Sequence, residues 1–293
     1  MLVIESEKLA VEVLPEVGGK VGQIREKISG RPFLVPPQRP YRTIPADGDW
    51  LKHDISGMDD CFPNVAAGQH PDAPWNDVRL LDLGEWTHGA WEVLKFANTD
   101  IVMKMTGTAL PYTATKTIRF VNDDTLEFGY LVENHGDTSF RYLWSAHPLI
   151  SVTEDFELRL PQGELNVRVF PSDGYLHNYN WPMCRGVQLS DEWIPRHTTL
   201  KTFITGLSEG WCILLLPTHT LKFTFDLETV PVVGVWFNNF GFPSGGKEAF
   251  RCIAIEPCTS PSDLLDDLPA AAYPSIEAGG RAQWKIQLQI SRR

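Results

Sequence analysis

TATKTIRFVNDDTLEFGYLVEN, residues 113–134, contains two runs of alternating polar and apolar residues joined by turn-forming residues. Alternation with a period of two is typical of strands that have one dry face and one wet face. Asn122, Asp123 and Asp124 lie between the two runs, and residues of these types favour a tight turn. The stretch therefore predicts an antiparallel β-hairpin.

Short runs of the same kind recur from one end of the chain to the other, and sustained helical periodicity is nearly absent. Examples are LAVEVL (9–14), IVMKMTG (101–107), LKFTFDL (221–227), VVGVWF (232–237) and WKIQLQI (284–290). So many strands without a linker between them favour one large sandwich over two separate domains. The prediction is an all-β chain whose residues 1–293 form a single domain, a large antiparallel β-sandwich.

Charge and cysteine content narrow the classes of function. The formal net charge of -11 disfavours a nucleic-acid or anionic-membrane partner, since both need a concentrated basic patch. The acidic N-terminus MLVIESEKLA differs from a signal peptide, so we expect a cytoplasmic protein. The 5 cysteines form no CxxC pair, which indicates reduced thiols and neither a disulfide framework nor a zinc site.

Two segments, residues 35–77 and 171–186, are rich in Pro, Gly, Asp, Asn and aromatic residues and do not have the pattern of strands. Long loops on a rigid sheet scaffold often carry function. We therefore expect these segments to contribute to a ligand site.

Three ionisable residues have contexts that favour chemistry. His147 in LWSAHPLI and Glu256 in IAIEP each end an apolar run and each precede a proline, which stiffens the chain there. His88 lies between two tryptophans in EWTHGAW. A partly desolvated glutamate becomes a stronger base, and histidine exchanges protons near neutral pH. Each residue could instead have a purely structural role.

Trp236 in VGVWFNNFG is the leading candidate among the 10 tryptophans for an apolar platform. Sugars present flat C–H faces to such side chains and hydroxyl groups to amides or carboxylates. Asn238 and Asn239 follow it and could supply those polar contacts.

The order of these features resembles the galactose mutarotase (aldose 1-epimerase) superfamily. The resemblance rests on LPEVGGKVGQIREKISGRPFL, GMDDCFPNV, HGAW, the histidine near mid-chain and the glutamate in IEP, and it runs across nearly the whole chain. It implies a β-supersandwich that binds a hexose and interconverts its α and β anomers, making the protein an isomerase. No cofactor or metal is expected, and the partner would be a small-molecule sugar.

The resemblance also implies roles for individual residues. Glu256 would remove the proton from the anomeric hydroxyl, His147 would protonate the ring oxygen, and His88 would support that side of the sugar. Asp59 or Asp60 would hold sugar hydroxyls. The sequence departs from the family pattern at Ala146 and Pro148, and GMDDCFPNV lacks an arginine, which predicts a divergent branch with altered sugar contacts.

Several other functions remain open at this point. A hexose-6-phosphate 1-epimerase would add cations for the phosphate, for which Arg79, Lys52, Arg42 and Arg39 are candidates. A non-catalytic carbohydrate-binding protein would keep the platform alone. A lyase or hydrolase would use two carboxylates, and a metalloenzyme built on His88 and His147 is the least favoured. The chain is expected to be a monomer or a homodimer.

Overall fold

The fold is known from a computed structural model, and the structure describes residues 1–45, 55–171, 179–243 and 249–293. The strands in the first half of the chain are β1 (Leu2–Glu5), β2 (Leu9–Leu14), β3 (Lys20–Glu26), β4 (Met58–Cys61), β5 (Gly68–Gln69), β6 (Arg79–Leu80), β7 (Glu92–Phe96), β8 (Asp100–Thr106), β9 (Tyr112–Asn122), β10 (Thr125–Asn134), β11 (Phe140–Arg141) and β12 (Ser145–Ser151).

The second half contributes β13 (Glu157–Arg159), β14 (Asn166–Phe170), β15 (Tyr179–Asn180), β16 (Met183–Cys184), β17 (Val187–Gln188), β18 (Thr198–Thr205), β19 (Trp211–Leu215), β20 (His219–Phe225), β21 (Val232–Asn239), β22 (Arg251–Cys258), β23 (Ser275–Ile276) and β24 (Arg281–Arg292). Two short 3-10 helices cover Glu85–Thr87 and Ala270–Ala272. The described residues contain no α-helix, so the all-β prediction is confirmed.

The strands of the described residues form two large antiparallel sheets. One has the order β1-β2-β3-β4-β12-β22-β21-β18-β14-β15, and the other has the order β13-β19-β20-β24-β10-β9-β8-β7. Buried residues of both sheets belong to one hydrophobic cluster, among them Val11 and Ile255 of the first sheet and Phe128 and Ile286 of the second. The large antiparallel sandwich expected from the sequence is confirmed.

The hairpin of residues 113–134 forms in the expected place. β9 pairs with β10, with Asn122 opposite Thr125 across the turn. The alternate residues Leu126, Phe128, Tyr130 and Val132 of β10 are buried against the first sheet. Each such side chain contributes about 1.5–3 kcal/mol to folding when it is fully buried, so the alternation seen in the sequence reflects one face of the sandwich core.

Four of the other tryptophans, Trp86, Trp91, Trp144 and Trp284, belong to the hydrophobic core cluster. The Trp86 and Trp284 rings stack with their centroids 6.4 Å apart, and Tyr130 and Trp144 pack beside them. Stacked and edge-on aromatic pairs add to the burial of their apolar area. The central part of the sandwich is therefore held together by aromatic side chains from both sheets.

GMDDCF differs from the loop expected for it. Its residues Met58–Cys61 form β4, a central strand between β3 and β12, and all four are buried. Two consecutive carboxylates can occupy such a strand because each faces a buried lysine on its own side of the sheet. The strand was not predicted because its two aspartates interrupt the hydropathy pattern that is typical of a buried strand.

All five cysteines are buried thiols outside any disulfide. Across the described residues, no helix combines the length and the apolar composition that crossing a membrane would require.

Candidate active site

A row of ionisable side chains lies on the outer face of the ten-stranded sheet. His147 of β12 stands opposite Asp59 of β4, and Glu256 of β22 stands opposite Gly234 of β21. Because side chains alternate between the two faces of a strand, these residues face away from the sandwich core. The distance between His147 Nε2 and Glu256 Oε1 is 3.9 Å. The structure thus brings together two residues that are 109 positions apart, from 147 to 256.

A cavity of about 600 Å³ opens above this row. The polar residues that line its described part are His147, Lys201, Asp263, Asp82, Arg185 and Thr199, and Trp236 and Phe242 contribute aromatic surface. This volume lies within the range of small-molecule sites, which combine apolar walls with a few polar groups.

Glu256 lies just beneath the floor of this cavity. Its side chain is fully buried. Glu256 Oε2 accepts hydrogen bonds from Lys201 Nζ and from Ser145 Oγ, the latter at 3.2 Å. Oε1 accepts no hydrogen bond from the described residues. Burial raises the pKa of the Glu256 carboxyl, and the ammonium group of Lys201 opposes that rise.

Gly234 makes room for this carboxylate. A Cβ atom at position 234 would lie 3.1 Å from Glu256 Cβ and 3.5 Å from the Phe203 ring. The absence of a side chain therefore lets Glu256 and Phe203 stand on either side of β21. Lys201 Nζ lies 5.1 Å from the centre of the Phe203 ring, which is a cation–π contact.

Lys201 also faces a second carboxylate. Its Nζ lies 3.6 Å from Asp263 Oδ1, and both side chains line the cavity. Burial and the nearby Glu256, opposed by Lys201, raise the pKa of Asp263 to about 6. Burial by itself would lower the pKa of Lys201, but Asp263 and Glu256 raise it overall. The lysine is therefore a charged partner of two acidic groups.

His147 is neutral in this setting. Burial and the nearby cation Lys201 lower the pKa of the His147 imidazole to about 3, although Asp59 acts in the opposite direction. Asp59 is itself held by a buried ion pair, with Lys20 Nζ 2.8 Å from its Oδ2. A neutral imidazole at the cavity wall offers one N–H donor and one nitrogen acceptor.

Trp236 presents its indole ring beside His147. It lines the cavity, its ring centroid lies 6.1 Å from that of His147 with 28° between the planes, and Phe242 meets it edge-on.

Asn238 and Asn239 were expected to contact ligand, but their amides hold the protein chain instead. Asn238 bonds to the backbone of Gly241 and Phe242, so it fixes the turn that carries Phe242 to the cavity.

Asn239, like its neighbour, is bonded to the protein through both Nδ2 and Oδ1 of its amide. Its Nδ2 donates to the carbonyl of Ile194 at 2.7 Å, and its Oδ1 accepts from Arg251 Nε at 3.0 Å. The expectation that this amide binds sugar hydroxyls is corrected by these contacts, because the geometry leaves it buried below the strand end.

The two aspartates of β4 point to opposite faces of the sheet. Asp59 lies on the face of His147, paired with Lys20. Asp60 points into the core between the sheets, where Lys116 Nζ lies 2.5 Å from its Oδ2 and the hydroxyl of Tyr130 donates to its Oδ1 at 2.7 Å. Asp60 is therefore turned away from the cavity, contrary to its expected contact with sugar hydroxyls.

His88 and Arg79 are not brought into the described wall of the cavity. His88 follows the 3-10 helix Glu85–Thr87, and its Nδ1 lies 2.9 Å from both Thr87 Oγ1 and the carbonyl of Gly84. Arg79 is exposed on β6. Of the other cations considered for a phosphate, Lys52 lies outside the described residues, and Arg39 and Arg42 do not line the described cavity.

Lys201, Asp263 and Arg185 line the cavity but were not singled out from the sequence. In TTLKTFIT, Lys201 has the spacing of an ordinary wet-face residue, and Asp263 lies in the turn-rich PSDLLDD. Only the strand order shows that β18 lies beside β21 and brings Lys201 to Glu256. The sequence did offer one signal for Lys201, which lies two residues from Phe203 and therefore on the same face of the strand.

No group of three or more His, Cys, Asp or Glu in the described residues could hold a metal ion.

Several known structures share this architecture. A galactose mutarotase related enzyme from Lactobacillus acidophilus superposes with a TM-score of 0.75 at 13% identity, covering 99% of this chain and 97% of that one. A galactose mutarotase-like protein from Lactobacillus casei ATCC 334 gives 0.69 at 15% identity, with coverages of 99% and 100%. The Slr1438 protein from Synechocystis sp. PCC 6803 gives 0.74 at 15% identity, with coverages of 100% and 96%.

The chain therefore has the galactose mutarotase-like fold, and its sequence is divergent from these structural neighbours. A scan against protein-family models found no match, and a search of curated proteins found none either.

Proposed function

We propose that the protein is an aldose 1-epimerase, which interconverts the α and β anomers of a hexose. The observation that carries the proposal is the approach of Glu256 Oε1 to within 3.9 Å of His147 Nε2 beneath a cavity walled by Trp236. The hydroxyl O1 and the ring oxygen of a pyranose are bonded to the same carbon. A base and a hydrogen-bond donor that serve them must lie close together, as these two groups do.

Glu256 is the proton acceptor in this proposal. Ring opening removes the proton from O1, forms the C1 carbonyl and breaks the bond between C1 and the ring oxygen, which takes up a proton. Rotation about C1–C2 and closure on the other carbonyl face give the second anomer. Lys201 favours the ionised form of Glu256 at neutral pH, which is the form that accepts a proton.

His147 keeps a place beside the ring oxygen but takes a different role from the one the resemblance implies. An imidazole with a pKa of about 3 carries no extra proton near pH 7. Its N–H can donate a hydrogen bond to the ring oxygen, while the transferred proton has to come from another group. Trp236 offers its apolar face to the C–H side of the sugar.

Polarimetry tests this function. Freshly dissolved crystalline α-D-galactose or α-D-glucose is mixed with the protein, and the optical rotation is followed to equilibrium. We expect the protein to shorten the approach, and we expect Glu256→Gln to lower kcat by about 100-fold or more, the scale of general base catalysis. Glu228→Gln, at an exposed glutamate, serves as the matched control.

A wild-type protein that leaves every mutarotation rate unchanged would contradict the proposal. If such a protein still binds the sugars by calorimetry, it is a carbohydrate-binding protein instead. A Glu256→Gln variant with the wild-type rate would contradict the role given to that residue alone.

Hexose-6-phosphate 1-epimerase activity is the second candidate. Arg185 and Lys201 both line the cavity, and they could attract an anionic group on the sugar. Glucose-6-phosphate therefore belongs in the panel of substrates. A preference for the phosphorylated sugar that Arg185→Gln abolishes would favour this candidate.

A further inference from the structure

Two buried carboxylates share one ammonium group at the cavity. Lys201 Nζ donates to Glu256 Oε2 and lies 3.6 Å from Asp263 Oδ1. The Glu256 side chain is fully buried, and Asp263 is 8% exposed. Neither Glu256 Oε1 nor Asp263 Oδ1 has a hydrogen-bond partner among the described residues.

If both carboxylates are ionised, two negative charges face the single positive charge of Lys201. Like charges in a poorly solvated site disfavour each other, so one of two such carboxyl groups tends to keep a proton. Asp263 is the group whose pKa is raised to about 6, near neutrality, whereas Glu256 receives the direct hydrogen bond of the lysine. A proton is thus held on Asp263, which contacts the same ammonium group as the base Glu256.

The position of Asp263 is fixed by the backbone. Its carbonyl accepts hydrogen bonds from the amides of Val65 at 3.2 Å and Ala66 at 2.8 Å, and these two residues also line the cavity. A turn anchored in this way presents the carboxyl to a ligand with little freedom. Proton transfer needs a donor within hydrogen-bond reach of the acceptor, and the pKa of the donor matters only once this geometry is met.

We propose that Asp263 is the acid that protonates the ring oxygen, and that Lys201 pairs with whichever of Glu256 and Asp263 is ionised. The proposal deepens the proposed function and rests on it. It assigns the proton donor to a carboxyl group and makes Lys201 a positioning residue for both acids.

The charges balance at every step. Before ring opening, Asp263 is protonated and Glu256 is ionised beside Lys201. Glu256 then takes the proton of O1, while Asp263 gives its proton to the ring oxygen as the C1–O bond breaks. Glu256 is now neutral and Asp263 is ionised, and Lys201 moves its ammonium group toward Asp263. Closure on the other face reverses each transfer and returns the site to its starting state.

Asp263→Asn tests the assignment, with Asp266→Asn as the matched control. Both changes replace a carboxyl by an amide in the same segment, but Asp266 is exposed. We expect the Asp263 variant to lower kcat by about 100-fold or more with little change in KM, because the amide cannot transfer a proton. The alkaline limb of the wild-type pH profile, where Asp263 loses its proton, should disappear.

Asp263→Ser removes the carboxyl without adding bulk and gives the same reading if the Asn variant does not fold. Unchanged kcat and an unchanged alkaline limb in a folded variant would overturn the role of Asp263 and leave the proposed function standing. A wild type that does not accelerate mutarotation would overturn both.

Infrared titration supplies a reading that needs no substrate. We expect the wild type to show a protonated-carboxyl band that is lost as the pH rises through about 6, and we expect this band to be missing in Asp263→Asn. A band that persists unchanged in the variant would overturn the proposal.

Discussion

His147 shows how strongly burial can act on a single side chain. The imidazole is 7% exposed and lies beside Lys201, and its pKa falls from 6.5 to about 3. In the unfolded chain the same group takes up a proton at its ordinary pKa. Between these two values the unfolded state binds more protons than the folded state, so the folded state loses stability as the pH falls through that window.

We expect this effect to appear in urea unfolding at pH 7 and pH 5. His147 alone should lower the free energy of unfolding by about 2 kcal/mol between these two values, since the unfolded chain gains the proton and the folded chain does not. His147→Gln should remove that part of the pH dependence. His135→Gln, at an exposed histidine, is the control, and equal pH dependence in wild type and His147→Gln would contradict a neutral buried imidazole.

The sequence predicted some of the candidate site and missed the rest for physical reasons. Glu256 and His147 were singled out because an ionisable residue placed before a proline in an apolar run stands out against its neighbours. Lys201 was missed because a lysine in an alternating strand normally faces water. Its burial depends on β21, which is a neighbour only in the folded sheet. Asp60 and Asn239 were misjudged because sequence does not show where a polar group finds its partner.

At the scale of the element, β21 matters because it has no side chain at Gly234. Gly234 stands between Glu256 of β22 and Phe203 of β18 in the register of three paired strands. A bulkier residue would have to displace one of them. The strand therefore sets the position of the carboxylate as much as β22 itself does.

Gly234→Ala tests this role of the strand. The new methyl group would lie 3.1 Å from Glu256 Cβ, so we expect the carboxylate to shift, kcat for mutarotation to fall and stability to decrease by about 1–3 kcal/mol. Gly129→Ala in β10 is the control, because its methyl group would meet its nearest neighbour, Thr117, only at 3.9 Å. Equal kcat values for the two variants would contradict the assigned role.

Strand prediction succeeded where hydropathy alternates and failed where charges are buried. The hairpin of β9 and β10 was visible because its turn and both of its faces follow local rules. β4 was hidden because its two aspartates depend on Lys20 and Lys116, which lie in other strands. Pairing across strands is a property of the folded sheet, so no local pattern reveals it.

On the scale of the whole molecule, an ion pair ties the two sheets together through the core. Lys116 of the eight-stranded sheet reaches Asp60 of the ten-stranded sheet and also donates to the carbonyl of Gly19 at 2.8 Å. Tyr130 bonds to the same aspartate. We propose that residues 1–293 fold as one domain, because one hydrophobic cluster and this polar link join both sheets.

Lys116→Met should destabilise the fold by about 3–5 kcal/mol, since it leaves the carboxylate of Asp60 buried without its cation. The double variant Lys116→Met with Asp60→Asn should recover part of the loss. Urea unfolding followed by tryptophan fluorescence measures both. A loss below about 1 kcal/mol in the single variant would contradict a structural role for the pair.

The reactivity of the five buried thiols reports how often the surrounding strands open. Cys61 and Cys258 flank Ser145 in the paired strands beneath the candidate site, while Cys212 lies in the other large sheet. A thiol-specific dye can react only when the surrounding strands separate. The labelling rates therefore compare local opening in the two large sheets without any engineered probe. A single cysteine introduced on the surface would accordingly be modified selectively while the native thiols stay protected.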